Sequence, residues 1–345
     1  MVEKIDIASF FNASEKMPLF DVRTPAEFSK GHIPNAFNLA LFSNEERAIV
    51  GTIYKKEDPK QALLKGLEFV GPKMRLLIEE VEKKTKHKTV AVHCWRGGKR
   101  SGSVGWLLGM AGFEVKTIIG GYKAYRNFIL NQFYQQKLEL LVLGGKTGCG
   151  KTKILHALKE QGEQIIDLEG LAHHKGSAFG FIGEAPAPTV EQFENNLFEA
   201  ITSLDTSRRI WIENESKRIG RVSIPNGFWE QMKAAPLVNM TLPFEVRLTV
   251  SIENYSTEVK ADLETAFHNI KKRLGGQNYQ RALAYLAVGD LKSAGSIALK
   301  YYDKQYQYML EKNKTKTIKY MNFENDEPEK TAQFLIAYAN KELTK

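Results

Sequence analysis

Residues 138–152 read LELLVLGGKTGCGKT, and no other stretch limits the folds open to this chain so sharply. An apolar strand at 138–143 runs into Gly145, four intervening residues, then Gly150, Lys151 and Thr152. A helix signal follows, with Ile154, Leu155 and Leu158 on one face. This is the phosphate-binding P-loop in the strand–loop–helix setting that the pattern requires. Gly145, Gly148 and Gly150 let successive backbone N–H groups turn inward onto phosphate oxygens, and Lys151 reaches the outer phosphate. Thr152 would ligate Mg²⁺ if the reaction uses that ion. The spacing demands a phosphate or diphosphate ligand rather than ATP in particular.

The segments after the loop continue an α/β pattern. EQIIDLEG (163–170) reads as a strand closing on Asp167 and Glu169, and RRIWIENES (208–216) as a buried strand ending in Glu213 and Glu215. Acids at such strand ends in P-loop folds hold Mg²⁺ or orient a water, although ordinary salt-bridge partners stand there too. Between the two strands, Phe193, Leu197, Ile201 and Leu204 recur at helical spacing and read as core. Lys175, Lys217, Arg218 and Arg221 are candidates for contact with an RNA backbone or a diphosphate; their plain reading is a solvated face. From about residue 260 the chain reads as helical, with KKRLGGQN (271–278) as a break. The tyrosine-rich SIALKYYDKQYQYML (296–310) suits helix packing or the stacking of bases.

Ahead of the P-loop, residues 1–125 alternate strand-like and helix-like segments. PLFDVR (18–23) and TVAVH (89–93) read as strands. Leu63, Leu67, Val70, Met74, Leu77, Ile78 and Val81 recur at helical spacing between them. Cys94 follows the second strand in HCWRGGKRS (93–101), and Val104, Leu107, Leu108 and Ala111 mark the face of a helix just beyond. In that layout the N–H groups of the loop and first helical turn converge on the cysteine, lower its pKa and hold an anion beside it. Gly97 and Gly98 permit the tight turn, while Arg96, Lys99 and Arg100 add positive charge and Ser101 closes the loop. Cysteine-dependent phosphatases and chalcogen-carrying sulfurtransferases both use such a loop. No acid within WRGGK is placed to protonate a leaving oxygen, which favours the chalcogen carrier.

DVRTPAEFSKGHIPNAFNLA (21–40) and IIGGYKAYR (118–126) resemble the N- and C-terminal signatures of rhodanese domains. Asp21, Arg23, Glu27, His32 and Pro34 match that signature residue by residue, and the resemblance implies that they brace the sheet and the cysteine loop. The loop holds five residues between Cys94 and Arg100, one more than a typical single-domain sulfurtransferase and the same as dual-specificity phosphatases of this fold. The expected architecture is therefore α/β: a rhodanese-like domain over 1–125, a linker helix at 126–137, and a P-loop NTPase-like α/β domain over 138–345 with a helical C-terminal part.

Charge and composition add limits. With 49 basic and 40 acidic residues the chain carries +9, a balance that favours a polyanionic partner. Its longest apolar stretches are too short to span a bilayer, and MVEKIDIASFF lacks a secretory pattern. Two cysteines in two separate loops do not make a disulfide framework, so a reducing cytoplasmic setting is expected. Cys149 reads as a small residue that fits the P-loop.

A rhodanese domain joined to a P-loop domain resembles one family closely, the tRNA 2-selenouridine synthases. The resemblance covers nearly the whole chain, through CWRGGKRS (94–101), GGKTGCGKT (144–152), GSAFG (176–180), FEN (193–195), IWIENESKRIGRVSIP (210–225), RLGGQN (273–278) and YYDKQY (301–306). Lys175 departs from it, standing where arginine is expected and keeping the charge without the bidentate fork. The resemblance implies replacement of sulfur by selenium in wobble 2-thiouridine of tRNA, with selenophosphate as donor, by way of an S-geranyl intermediate made from geranyl diphosphate. It implies Cys94 in selenium delivery, as a perselenide or by attack on the activated uridine, with Arg96, Gly97, Gly98, Lys99, Arg100 and Ser101 around selenophosphate or the tRNA backbone. It also implies that Gly145, Gly148, Gly150, Lys151 and Thr152 bind the diphosphate, with Asp167, Glu213 and Glu215 as acid, metal or substrate contacts. Lys175, Ser177, Lys217, Arg218 and Arg221 would then contact tRNA or diphosphate. The expected partner is tRNA, not DNA or a membrane; no tightly bound cofactor and no resident metal are expected. Two other classes fit the residues taken singly: a nucleotide-driven kinase-like enzyme with a regulatory rhodanese domain, and a phosphatase or non-catalytic RNA-binding module.

Overall fold

A computed structural model of the protein describes residues 2–13, 17–253, 259–312 and 318–342. The chain divides into two compact units, Met1–Gln132 and Phe133–Lys345.

The first unit is built on five strands: β1 (Val2–Ile5), β2 (Leu19–Asp21), β3 (Phe37–Asn38), β4 (Thr89–His93) and β5 (Glu114–Ile118). They lie in the order β1-β5-β4-β2-β3, and every pair is parallel. A parallel sheet is covered on both faces, which is why β4 carries an unbroken apolar run rather than an alternating one. Val90, Ala91 and Val92 are fully buried in it. The helix Lys99–Met110 buries Val104, Leu107 and Leu108, and the helix Met74–Lys84 buries Leu77 and Val81. One expectation is corrected here. Leu63 and Leu67 are exposed at 46% and 57%, whereas Ala62 and Gly66 face inward from the helix Pro59–Val70. The apolar series runs through a 3-10 turn at Gly71–Lys73, where Pro72 resets the helical phase. Residues spaced for one helix therefore fall on different faces of two.

The second unit holds β6 (Leu140–Gly145), β7 (Gln164–Ile166), β8 (Ile210–Glu213), β9 (Arg218–Ile219), β10 (Val222–Ser223), β11 (Leu237–Thr241) and β12 (Ile318–Asn322). Its five-stranded sheet has the order β12-β11-β6-β8-β7, again wholly parallel, while β9 and β10 form a separate antiparallel pair. From the central strand β6 the chain moves to one side through β7 and β8, then crosses to the other through β11 and β12. Ligands of open α/β sheets bind beyond the carboxyl ends of strands at such a reversal, and the P-loop leaves β6 there. The helix expected around Phe193 spans Val190–Thr202 and buries Phe193, Leu197 and Ile201, while Leu204, expected on the same face, falls beyond its end and is half-buried. The break expected at 271–278 falls at Gly275, between the helices Lys260–Leu274 and Gly276–Ala287.

A second correction concerns 163–170. The strand stops at Ile166, and Asp167 caps a short helix, Leu168–Ala172, by accepting from Gly170 N–H at 2.7 Å. An aspartate that satisfies a free helical N–H competes with strand extension, and here the cap wins. The segment 126–137 lies mostly within one helix, Gly121–Gln135.

Candidate active sites

The cysteine loop joins β4 to the helix Lys99–Met110, with Gly98 at the helix N-cap. Cys94 is buried at the base of the loop, where its Sγ accepts from Gly98 N–H at 3.3 Å and lies 3.3 Å from Ser101 Oγ. Burial works to raise the thiol pKa. The Ser101 hydroxyl and the N–H groups of Ser101, Gly98 and Arg96 outweigh it and hold the thiol below its ordinary value. Ionisation to the thiolate, the form that acts as a nucleophile, is thus easier here than in an ordinary cysteine.

The loop is held from two sides. Gly97 (φ +63°) and Gly121 (φ +57°) lie back to back. A Cβ on Gly121 would sit 2.2 Å from Cys94 O and 2.5 Å from Gly97 N, and one on Gly97 would sit 2.4 Å from Ile118 O. Tyr122 N–H and Lys123 N–H then donate to the carbonyls of Cys94 and Trp95, both at 2.9 Å. The Gly-Gly pair of IIGGYKAYR is the close fit of the next segment against this loop. On the other side Arg100 makes a two-pronged pair with Glu27, at 2.7 and 3.2 Å, and Glu27 closes the capping box of the helix Pro25–Lys30. Arg100 therefore anchors the loop, and its charge is already shared with a carboxylate. Arg96 and Lys99 are exposed and have no ion-pair partner among the described residues.

Of the remaining signature residues, Asp21 and Arg23 brace the end of β2, as expected. Asp21 and Arg23 are buried together and doubly hydrogen-bonded, Arg23 also donates to Gly31 O at 2.7 Å, and its guanidinium lies 3.8 Å over the Tyr122 ring. Burial works to raise Asp21, but the nearby His93 and Arg23 hold it below the usual carboxylate range. His93 is fully buried, and burial keeps its pKa low. His32 stacks on Phe28 and bonds Phe28 O.

In the second unit the P-loop takes the shape its glycines permit: Gly148 and Gly150 have φ of +80° and +67°. Lys151 Nζ reaches back to Gly145 O at 3.3 Å. Burial works against its charge, but Glu169 and Glu215 outweigh that and keep the ammonium protonated. Thr152 Oγ1 donates to Glu169 Oε2 at 2.9 Å, so Glu169 is the acid nearest the loop threonine. Glu215 lines the same cavity, and burial together with repulsion from Glu169 pushes its carboxyl up to about 8.

Glu213 stands apart from the role expected of it. It lies behind this layer, 1% exposed, where Oε1 accepts from Glu169 N–H at 2.7 Å and burial pushes its pKa well up. Asp167 combines capping with a 3.0 Å contact to His156. Among the described residues no group of three or more His, Cys, Asp or Glu is disposed to hold a metal ion.

Lys175 and Ser177 line the cavity beside the loop, Lys175 paired with Glu184 at 2.9 Å. Lys217, Arg218 and Arg221 do not line it. They are exposed at the β9–β10 hairpin, where Lys217 bonds Asn226 and Arg218 bonds Gly220 O. Cys149 is buried beneath the loop, and burial raises its thiol, which suits a small packing residue.

Several residues that hold the loop were not singled out from the sequence. Gly145 N–H donates to Tyr306 Oη at 2.8 Å, and Tyr306 in turn bonds Asn239. Tyr302 Oη accepts from Ala178 N–H at 2.9 Å. Asp303 pairs with buried Arg247, which donates to Thr147 O at 3.0 Å. The tyrosine-rich stretch therefore works by packing, clamping both the P-loop and the GSAFG segment. The signal was present: an arginine within the apolar helix Phe244–Ile252 is buried only with a partner.

The P-loop opens into a cavity of about 720 Å³. Gly145, Lys151, Glu169 and Glu215 lie at its polar part; Val250, Leu263, Phe267, Leu286, Ala294 and Ala298 supply an apolar wall. Arg273, from RLGGQN, also lines it. One chamber thus pairs an anion-binding loop with a surface that accepts hydrocarbon.

Comparison with known proteins agrees with this geometry. Residues 138–337 match the family model described as tRNA 2-selenouridine synthase AAA domain, and residues 8–128 match the rhodanese-like domain. A tRNA 2-selenouridine synthase of Hydrogenovibrio crunogenus is 34% identical over 336 residues, covering 88% of this chain and 91% of its own. One from Sulfurovum sp. is 33% identical over 339 residues, with 87% and 91% covered. One from Bdellovibrio bacteriovorus is 38% identical over 263 residues, with 73% and 68% covered. A cysteine-loop unit followed by a P-loop unit, with these matches, places the chain in the tRNA 2-selenouridine synthase family of tRNA-modifying enzymes.

Proposed function

We propose that the protein replaces the sulfur of wobble 2-thiouridine in tRNA by selenium, through an S-geranyl intermediate. The observation that carries this reading is the cavity in which the P-loop faces an apolar wall. A prenyl diphosphate uses both parts, its diphosphate at the loop and its hydrocarbon tail along the wall.

In the first half-reaction the thiocarbonyl sulfur attacks C1 of geranyl diphosphate, the C–O bond breaks, and pyrophosphate departs as N3 of the base loses its proton. The P-loop N–H groups and Lys151 stabilise the charge that gathers on the leaving pyrophosphate. Alkylation turns a poor leaving group into a good one. In the second half-reaction the Cys94 thiolate attacks C2 of the activated base and expels geranylthiolate, which takes a proton from water to leave as geranylthiol. Selenium of selenophosphate then displaces Cys94 from C2, and water cleaves the P–Se bond to release phosphate. Every step is a two-electron substitution. A perselenide on Cys94 would need an oxidant, because selenium in selenophosphate already stands at the selenide level; attack on the uridine is therefore the route adopted. Arg96 and Lys99 are the cations left to attract selenophosphate or the tRNA backbone, since Arg100 is held by Glu27.

The test is tRNA bearing 2-thiouridine, incubated with selenophosphate and geranyl diphosphate and digested for mass spectrometry of its nucleosides. Wild type is expected to give 2-selenouridine, and S-geranyl-2-thiouridine when selenophosphate is withheld. Cys94→Ala should stop at the geranylated nucleoside, and Lys151→Ala should fail before it. Selenouridine formed by Cys94→Ala at the wild-type rate would overturn the division of labour; unchanged thiouridine with folded wild type would overturn the function.

A further inference from the structure

The wall of the P-loop cavity is graded along one helix. Within Leu291–Lys312, Tyr306 meets Gly145 of the loop, and Ala298, Ala294 and Leu291 line the cavity at successive turns away from it. Ala298 lies eight residues from Tyr306, about 12 Å along the axis at 1.5 Å per residue. Ala294 is one turn further. Both alanines are buried in one cluster with Leu263 and Phe267. Small side chains thus stand where larger neighbours would otherwise fill the chamber.

We propose that Ala298 sets the length of the isoprenoid tail accepted, and that Leu291 limits the next unit. This rests on the prenyl diphosphate reading above. With C–C bonds of about 1.5 Å, the eight-carbon main chain of a geranyl group spans about 9 Å when extended. Beyond a diphosphate seated at the loop, a tail of one isoprene unit stops short of Ala298 and a tail of two reaches its level. A third unit continues toward Leu291. The methyl group of Ala298 is what leaves room for the second unit.

The experiment measures transfer from dimethylallyl, geranyl and farnesyl diphosphates, with one, two and three isoprene units, to 2-thiouridine tRNA. Ala298→Leu is expected to lower the geranyl-to-dimethylallyl ratio of kcat/KM by at least about tenfold, the scale on which a crowded apolar pocket discriminates. Leu291→Ala is expected to raise use of farnesyl diphosphate relative to geranyl. A shift in substrate ratio, unlike a loss of rate, is not produced by mere destabilisation. If Ala298→Leu does not fold, as judged by fluorescence of buried Trp211, Ala298→Val takes its place with a shift in the same direction. Geranylation by wild type with ratios unchanged in these variants overturns the length limit alone. No prenyl transfer by folded wild type overturns the functional reading and the length limit together.

Discussion

Arg247 offers a quantitative test of how the P-loop is held. It is 3% exposed and donates to Leu242 O at 3.2 Å, to Thr147 O at 3.0 Å, and to the two oxygens of Asp303 at 2.8 and 2.7 Å. Arg247→Ala removes all four bonds and strands a carboxylate. Removing one partner of a buried ion pair costs about 3–5 kcal/mol. Asp303 keeps a side-chain exposure of 20%, so water relieves part of the penalty, and the lower end, about 3 kcal/mol, applies. Asp303→Ala leaves a more deeply buried guanidinium and should cost at least as much. The double variant leaves no orphaned charge. The coupling in the cycle should therefore be about 2 kcal/mol. Urea unfolding followed by tryptophan fluorescence measures it, because Trp211 is fully buried in the second unit while Trp95 and Trp106 of the first are exposed. Pyrophosphate binding should weaken in Arg247→Ala although Lys151 is untouched, since Thr147 O belongs to the loop. A coupling below about 0.5 kcal/mol, or unchanged pyrophosphate affinity, would refute the clamp.

Three further outcomes follow from the two sites. Gly121→Ala should destabilise the first unit by several kcal/mol, from the left-handed backbone (about 1–2 kcal/mol) plus a collision with Cys94 O at 2.2 Å, whereas Gly98→Ala, whose Cβ meets nothing within 4 Å, should cost far less; equal melting temperatures would contradict this. The rate of Cys94 alkylation by iodoacetamide should reach half its plateau at a pH below that of an ordinary thiol, and Ser101→Ala should move the midpoint upward; no movement would remove the hydroxyl from the account. Glu215 has a folded pKa of about 8 against 4.5 when unperturbed, so its contribution favours folding at low pH and is lost as pH rises between those values. The urea midpoint of the second unit should fall over that window, and fall less in Glu215→Gln; parallel profiles would show that another group governs it.

The sequence by itself determined both loops, because each depends on residues adjacent in the chain. Gly145 to Thr152 and Cys94 to Ser101 carry their backbone requirements locally: glycines for positive φ, a following helix for converging N–H groups, a strand before each to set direction. Helices with a single apolar face, such as Val190–Thr202, were legible for the same reason. The tertiary structure decided which charges are free. Arg100 is taken up by Glu27, seventy-three residues away in sequence, and Glu213 is turned into the core while Glu169 meets Thr152. The end of the strand Gln164–Ile166, by contrast, is set locally by the Asp167 cap three residues from Gly170, a signal that the sequence carried. Least legible was the apolar wall of the P-loop cavity. A pocket lined by alanines and leucines has the periodicity of ordinary core, and only the packing of four helices shows that the space between them is open to a ligand.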